Sequence, residues 1–187
     1  MIQLAATDSA PALTLRPWAD KDIPALVRAH ADPEMRRWMI WHIDNEDQAR
    51  ATLTEQRRHW AMGTRFVFAV VADGEGTGDG GDDDPVIGSV SLRRLAKEHD
   101  VADVSYWTMA EARGKSVATR AVAGVLSWAE NLWADDPVDH FKLIHSLGNN
   151  ASCRVANKLG FTFAEDLPPD PPMFPQPGHL HIRRGVR

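Results

Sequence analysis

With 187 residues, 43% of them hydrophobic and 25% charged, the chain has the length and composition of one soluble domain with a substantial core. Its formal net charge of -5 argues against a nucleic-acid binder, and no apolar run approaches the ~20 residues of a membrane span. A single cysteine, Cys153, excludes an intramolecular disulfide, and the N-terminus lacks a signal-peptide pattern, so a reducing, cytoplasmic location is expected.

The stretch "ALTLRPW" alternates Leu13 and Leu15 with Thr14 and Arg16 and predicts a first strand. Asp20 stands where it would cap a helix over 22–30, and Asp32 followed by Pro33 opens a shorter one. Asn45 caps a third, reaching about residue 62, with Ala49, Leu53, Gln56 and Trp60 spaced by threes and fours. "RFVFAVVA" predicts a strand. Residues 73–85 are Gly- and Asp-rich without an apolar anchor and predict a flexible acidic loop.

"VIGSVSLRRL" and "VADVSYWTM" are two further strands. Ala118, Ala121, Val122, Val125, Ala129 and Leu132 line one stripe of a helix over 117–133. "FKLIHSL" is a short strand, and a helix over 151–159 stops at Gly160. "FTFAED" is a strand, the Pro-rich 168–178 is a loop, and "HLHIRRGV" is a last strand. Runs of adjacent strands favour antiparallel hairpins, whereas the helix at 117–133 needs a crossover between parallel strands. The expectation is a single mixed α/β domain over 1–187. The seven tryptophans are assigned mostly to the core.

"EARGKSVATRAV", residues 111–122, leads small and basic residues into a helix. A helix N-terminus carries unpaired N–H groups and a partial positive charge, so this turn suits an anion. A phosphate-binding P-loop is excluded, because Met109 stands where its first glycine belongs; a dinucleotide fingerprint fails on glycine spacing. A plain strand-to-helix turn with solvated basic residues fits this stretch equally well.

"NNASCRVANKLGF", one strand further on, changes that balance. Together with "SYWTMAEARGKSVATRAV" and the opening "LTLRPWADKDIPALVRAHADPEM", it resembles the GNAT superfamily of acetyl-CoA-dependent N-acetyltransferases. The likeness is greatest to the branch that includes the bacterial ribosomal-protein N-terminal acetyltransferases. The resemblance implies a central mixed, mostly antiparallel sheet splayed between two parallel strands and flanked by helices. It also implies that Arg113, Gly114, Lys115, Ser116, Val117 and Ala118 hold the coenzyme A pyrophosphate through main-chain amides. Ser116 stands where the family usually has Gly; its hydroxyl could cap the helix or touch a phosphate oxygen.

Acetyl transfer from a thioester to an amine needs a stabilised carbonyl oxygen, a deprotonated amine and a partner for the departing thiolate. The resemblance implies a main-chain N–H on the splayed strand for the first, with Trp107, Thr108 and Met109 as candidates. It assigns Ser152 to the leaving sulfur, with helix capping by Asn150 or Ser152 as the alternative, and Asn150 also to the pantetheine arm. Asp103, where relatives often carry Glu, is the candidate base through a water, with Glu111 and His145 behind it; an ordinary strand carboxylate is the alternative. Trp38 and Trp41 would border the acceptor.

The expected activity is acetyl transfer from acetyl-CoA to a primary amine, on a protein N-terminus or a small molecule, by direct attack in a ternary complex. A non-catalytic acyl-CoA-binding sensor is the rival. The expected partners are acetyl-CoA, an amine acceptor and a second copy in a homodimer, without nucleic acid or membrane. No metal is expected: His179 and His181 share a strand face, but no third ligand follows at a suitable spacing. Cys153 reads as a small buried helix residue.

Overall fold

The computed structural model describes residues 1–8, 10–74, 85–95, 98–172 and 174–185. Eight strands form one sheet in the order β1-β2-β3-β4-β5-β6-β8-β7. They are β1 (Ile2–Leu4), β2 (Leu13–Pro17), β3 (Arg65–Ala72), β4 (Val86–Leu95), β5 (Glu98–Thr108), β6 (His140–Ser146), β7 (Thr162–Leu167) and β8 (Gly178–Arg184). The helices are α1 (Ile23–Ala31), α2 (Pro33–Trp38), α3 (Glu46–Ala61), α4 (Val117–Leu132) and α5 (Asn150–Lys158). Every pair of neighbours is antiparallel except β5 and β6. The mixed, mostly antiparallel α/β architecture expected from the sequence is therefore present. Among the described residues no helix is long and apolar enough to cross a membrane.

Strand β3 explains the layering. Its interior is buried on both faces, which suits a near-continuous apolar run. Phe66, Phe68 and Val70 join Ala121, Val122, Val125 and Leu126 of α4 in one core. Val67, Ala69 and Val71 join Ile23 and Leu26 of α1 and Ala49 and Leu53 of α3 in the other. The sheet is thus sandwiched between α4 and the α1–α3 group. Arg120 of α4 also donates to the carbonyls of Ala5 (2.6 Å) and Pro11 (2.7 Å), which fastens the N-terminal arm to that helix.

Two local expectations change. Asp20 does not cap α1; residues Asp20–Asp22 form a 3-10 turn, and Asp22 accepts the Ala19 N–H and a forked pair of bonds from Arg16 at 2.7 and 2.9 Å. Thr14 is fully buried, because its hydroxyl donates to Asp73 at 2.7 Å. Asp73 itself is buried and its N–H reaches the Ala12 carbonyl, so it is tied to the sheet just past the end of β3. Of that loop, residues 75–84 lie outside the described residues.

The feature that positions the site is the limited pairing of β5 with β6. They meet only over 101–103 against 140–142. Beyond Asp103 they part: residues 104–108 keep β4 on one edge and lose their partner on the other, while β6 stays paired with β8.

Candidate active site

The turn at the head of α4 has the form that an anion seat requires. Gly114 has φ +75°, and Ser116 has φ 58°, the one non-glycine positive φ among the described residues. Ser116 thus adopts the left-handed conformation usual for glycine, at a cost of roughly 1–2 kcal/mol to an L-residue. Its hydroxyl makes no capping bond, contrary to one expectation. The first intrahelical bond is Arg120 N–H to the Ser116 carbonyl at 3.0 Å, so the amides of Val117, Ala118 and Thr119 lack partners within the helix. Alternating left-handed residues with unpaired amides make a concavity for an anion. Buried Val117 anchors the turn, while Arg113, Gly114, Lys115 and Ser116 stay exposed.

Arg113 is already engaged. Its guanidinium donates to Asp32 at 2.6 Å, joining the turn to the head of α2. Burial would raise the Asp32 pKa, but the Glu34 and Met35 amides and Arg113 outweigh it and hold the carboxyl below its usual range.

Strand alternation sorts the main-chain donors of β5. The Met109 N–H already donates to the Ile87 carbonyl of β4 at 2.9 Å. Residues two apart on a strand turn their amides the same way, so Trp107 also faces β4. The amides of Tyr106 and Thr108 face the parted edge. Of the three candidates, Thr108 is therefore the one whose amide faces the parted edge, as does that of Tyr106. On β4, Gly88 permits this packing: a Cβ there would lie 2.7 Å from the Trp107 carbonyl oxygen.

At the head of α5 the cap is Asn149, whose side chain accepts the Ser152 N–H at 3.2 Å. Neither Asn150 nor Ser152 caps the helix, which corrects the capping alternative and leaves the Ser152 hydroxyl for other partners. Asn150 is exposed at the first helical position, and Ser152 is half-buried. Beside Ser152 lies Tyr106, the one tyrosine of the chain. Burial pushes its ionisation up to about 12; Ser152 works against that shift and Cys153 adds to it. The Tyr106 hydroxyl is enclosed and has no hydrogen-bond partner of good geometry among the described residues. An enclosed, unpaired hydroxyl costs about 1–3 kcal/mol, which a ligand atom would recover. The sequence hides this pairing because β5 and α5 meet only in the fold.

The candidate bases are placed elsewhere. Asp103 sits at the closed end of the splay and is held by Arg93, its cross-strand neighbour on β4, at 2.5 Å. It lies on the strand face opposite Tyr106, so the fold does not bring Asp103 and Ser152 together. Glu111 forms an exposed pair with Arg28 at 3.7 Å. His145 is buried and turned toward His181 and Cys153.

The face of β5 that carries Trp107 meets α1. The His30 ring lies 5.3 Å from Trp41 and 6.3 Å from Trp107, and Trp107 lies 5.9 Å from Trp18, so an aromatic column runs from the exposed Trp41 to β5. Trp38 stands apart from these ring contacts, its indole N–H on Glu34 and its ring under Arg37. His30 is almost wholly buried, and neither ring nitrogen has a partner among the described residues. Burial, followed by His42 and Arg36, lowers its pKa to about 4. The unfolded chain therefore takes up this proton first, and stability falls as pH drops from about 6.5 through about 4. That depression amounts to about 3 kcal/mol. Denaturant titrations between pH 7 and 4 should show a drop of that order for the wild type that His30→Gln lacks; equal pH slopes would remove His30 from this role.

His179 and His181 make ring contacts with each other, His145 and Phe163. Cys153 is half-buried against them and His145 rather than set in an apolar core.

Comparisons with known proteins bear on the fold that carries these residues. The family model of the acetyltransferase (GNAT) domain matches residues 12–162. A sequence search of curated proteins gives no match. Among solved structures, the fold is similar to that of the microcin C7 self-immunity acetyltransferase MccE in complex with acetyl-CoA and AMP (TM-score 0.75, 16% identity, 95% of this chain and 97% of that one). It is also similar to an acetyl transferase from Salmonella typhimurium that modifies the N-terminal serine of a 50S ribosomal subunit protein (0.73, 14%, 92% and 94%). A third is RimJ of Mycobacterium smegmatis in complex with CoA-disulfide (0.73, 16%, 94% and 83%). With the family matched over most of its length and the splayed sheet in place, the chain belongs to the GNAT family of acetyltransferases.

Proposed function

We propose that the protein transfers acetyl from acetyl-CoA to a primary amine by direct attack in a ternary complex. The observation that carries this is the opening between β5 and β6, bordered by the unpaired amides of α4 and by Ser152. The pyrophosphate rests on the turn formed by Arg113, Gly114, Lys115, Ser116, Val117 and Ala118. The pantetheine arm runs along the free edge of β5 and past Asn150, and the Thr108 or Tyr106 amide takes the thioester oxygen as it gains charge. Ser152 and Tyr106 donate hydrogen bonds to the departing sulfur. Tyr106 keeps its proton through neutral pH, so it acts as a donor and water carries the proton balance.

The amine approaches from the face of Trp107, with Trp41 as its wall and His30 packed behind it. With Asp103 held by Arg93, the amine loses its proton through water, which Asp103 reaches only if that ion pair opens. The acceptor is an N-terminal or small-molecule amine; the fold is shared with an acetyl transferase that modifies the N-terminal serine of a ribosomal protein.

Acetyl-CoA should raise the melting temperature, because it binds the native state alone. Free thiol should then appear only when an amine is added, from panels of N-terminal peptides and small amines, with intersecting double-reciprocal lines. No thermal shift at millimolar acetyl-CoA would reject the coenzyme site. A shift without turnover on either panel would favour a sensor over an enzyme.

A further inference from the structure

We propose that His145, Cys153, His179 and His181 form a tetrahedral zinc site that fastens the head of α5 to strands β6 and β8. His145 and His179 are directly opposed on the two strands, and His181 lies two residues along the same face. Cys153, one turn into α5, comes down onto this trio. The four ligand atoms all lie within 4.8 Å of one another.

Four of the six ligand-to-ligand spacings match zinc, and the two between His179 and the other histidines are within 4.8 Å. With Zn–N of about 2.0–2.1 Å and Zn–S of about 2.3 Å, a tetrahedral ion has N···N edges of about 3.3–3.4 Å and S···N edges of about 3.5–3.6 Å. The His145 Nε2 to His181 Nε2 distance is 3.2 Å. Cys153 Sγ stands 3.3 Å from His145 Nε2, 3.5 Å from His179 Nδ1 and 3.8 Å from His181 Nε2. Each of these four edges is within about 0.3 Å of the tetrahedral value.

The outer contacts turn lone pairs inward. His145 Nδ1–H donates to the Ser146 carbonyl at 3.0 Å, which leaves Nε2 unprotonated toward Cys153. His179 Nε2–H donates to the Asp166 carboxylate at 3.2 Å, which leaves Nδ1 for the same centre. A carboxylate or carbonyl behind a ligating imidazole is the usual support of a metal site. Half-buried Cys153 and His179 give an ion a way in from solvent. Three nitrogens and one thiolate select zinc over calcium or magnesium, and four protein ligands leave no open position. The ion is therefore structural and stands outside the acetyl-transfer chemistry; it holds the helix that carries Ser152.

Zinc should bind the chelator-stripped full chain at one ion per chain, in competition with a chromophoric indicator. Bound zinc should slow modification of Cys153 by a thiol reagent and raise the melting temperature. Cobalt in its place should give a thiolate charge-transfer band that Cys153→Ser lacks. Asp166→Asn, at an exposed position, should fold normally and bind zinc roughly 10- to 100-fold more weakly. Unchanged Cys153 reactivity with zinc present, or no zinc held against the indicator, would overturn the site using wild-type protein alone. Because these readouts need neither acetyl-CoA nor an amine, their failure is distinct from failure of the proposed activity.

Discussion

Ser116→Pro should abolish acetyl-CoA binding, while Ser116→Gly should preserve it. Proline holds φ near -65°, whereas Ser116 has φ 58°, so the turn must rearrange and an amide is lost from the anion seat. A backbone conflict of about 3 kcal/mol or more corresponds to a loss of affinity of roughly 100-fold or greater. Glycine takes the left-handed conformation freely and offsets that relief by its own chain entropy, so stability should change by no more than about 1 kcal/mol. Arg113→Ala should matter less than Ser116→Pro, because its exposed pair with Asp32 is worth about 0–1 kcal/mol. Calorimetric titration with acetyl-CoA, alongside melting curves, separates these outcomes. A folded Ser116→Pro protein that binds within tenfold of wild type would place the pyrophosphate away from this turn.

What the sequence made legible follows from the range of the interactions involved. Periodicity marked α3, α4 and the long strands because their faces meet cores on a fixed repeat. It could not mark β1, whose three residues are too few to show a period. The cap of α5 is Asn149 rather than Asn150 or Ser152, a difference of one residue that turns on backbone angles. The site divides in the same way. The turn from Arg113 to Ala118 is local in the chain and was legible through its glycine, its charges and the helix behind it. That Ser116 itself takes the glycine conformation is a property of its backbone that residue type does not reveal. Tyr106 beside Ser152, and His145 and Cys153 beside His179, join residues that are far apart in the chain. Their proximity depends on β5 parting from β6 and on the register of β6 with β8. Spacing along the sequence therefore offered only the His179–His181 pair. The base assignment to Asp103 met the converse problem: residue type was suggestive, but cross-strand Arg93 engages the carboxylate.

Ser152→Ala and Tyr106→Phe should each lower kcat and kcat/KM together while leaving acetyl-CoA affinity nearly intact. In the proposed mechanism both hydroxyls donate to the thioester sulfur as it gains charge, so their bonds strengthen in the transition state rather than on binding. A hydrogen bond to a charged partner is worth about 1.5–3 kcal/mol, which predicts a loss of roughly 10- to 100-fold for each variant. The capping explanation for Ser152 is weakened by Asn149, so Ser152→Ala should melt close to wild type. Tyr106→Phe removes an enclosed hydroxyl that has no hydrogen-bond partner of good geometry among the described residues and should be at least as stable as wild type. The double variant tests whether the two act on one atom. If both donate to the same sulfur and each partly covers for the other, its loss should exceed the product of the single losses. If Ser152 instead only orients the Tyr106 hydroxyl, the double variant should lose no more than Tyr106→Phe alone. Full activity in both single variants would leave the departing thiolate to water and to the head of α5.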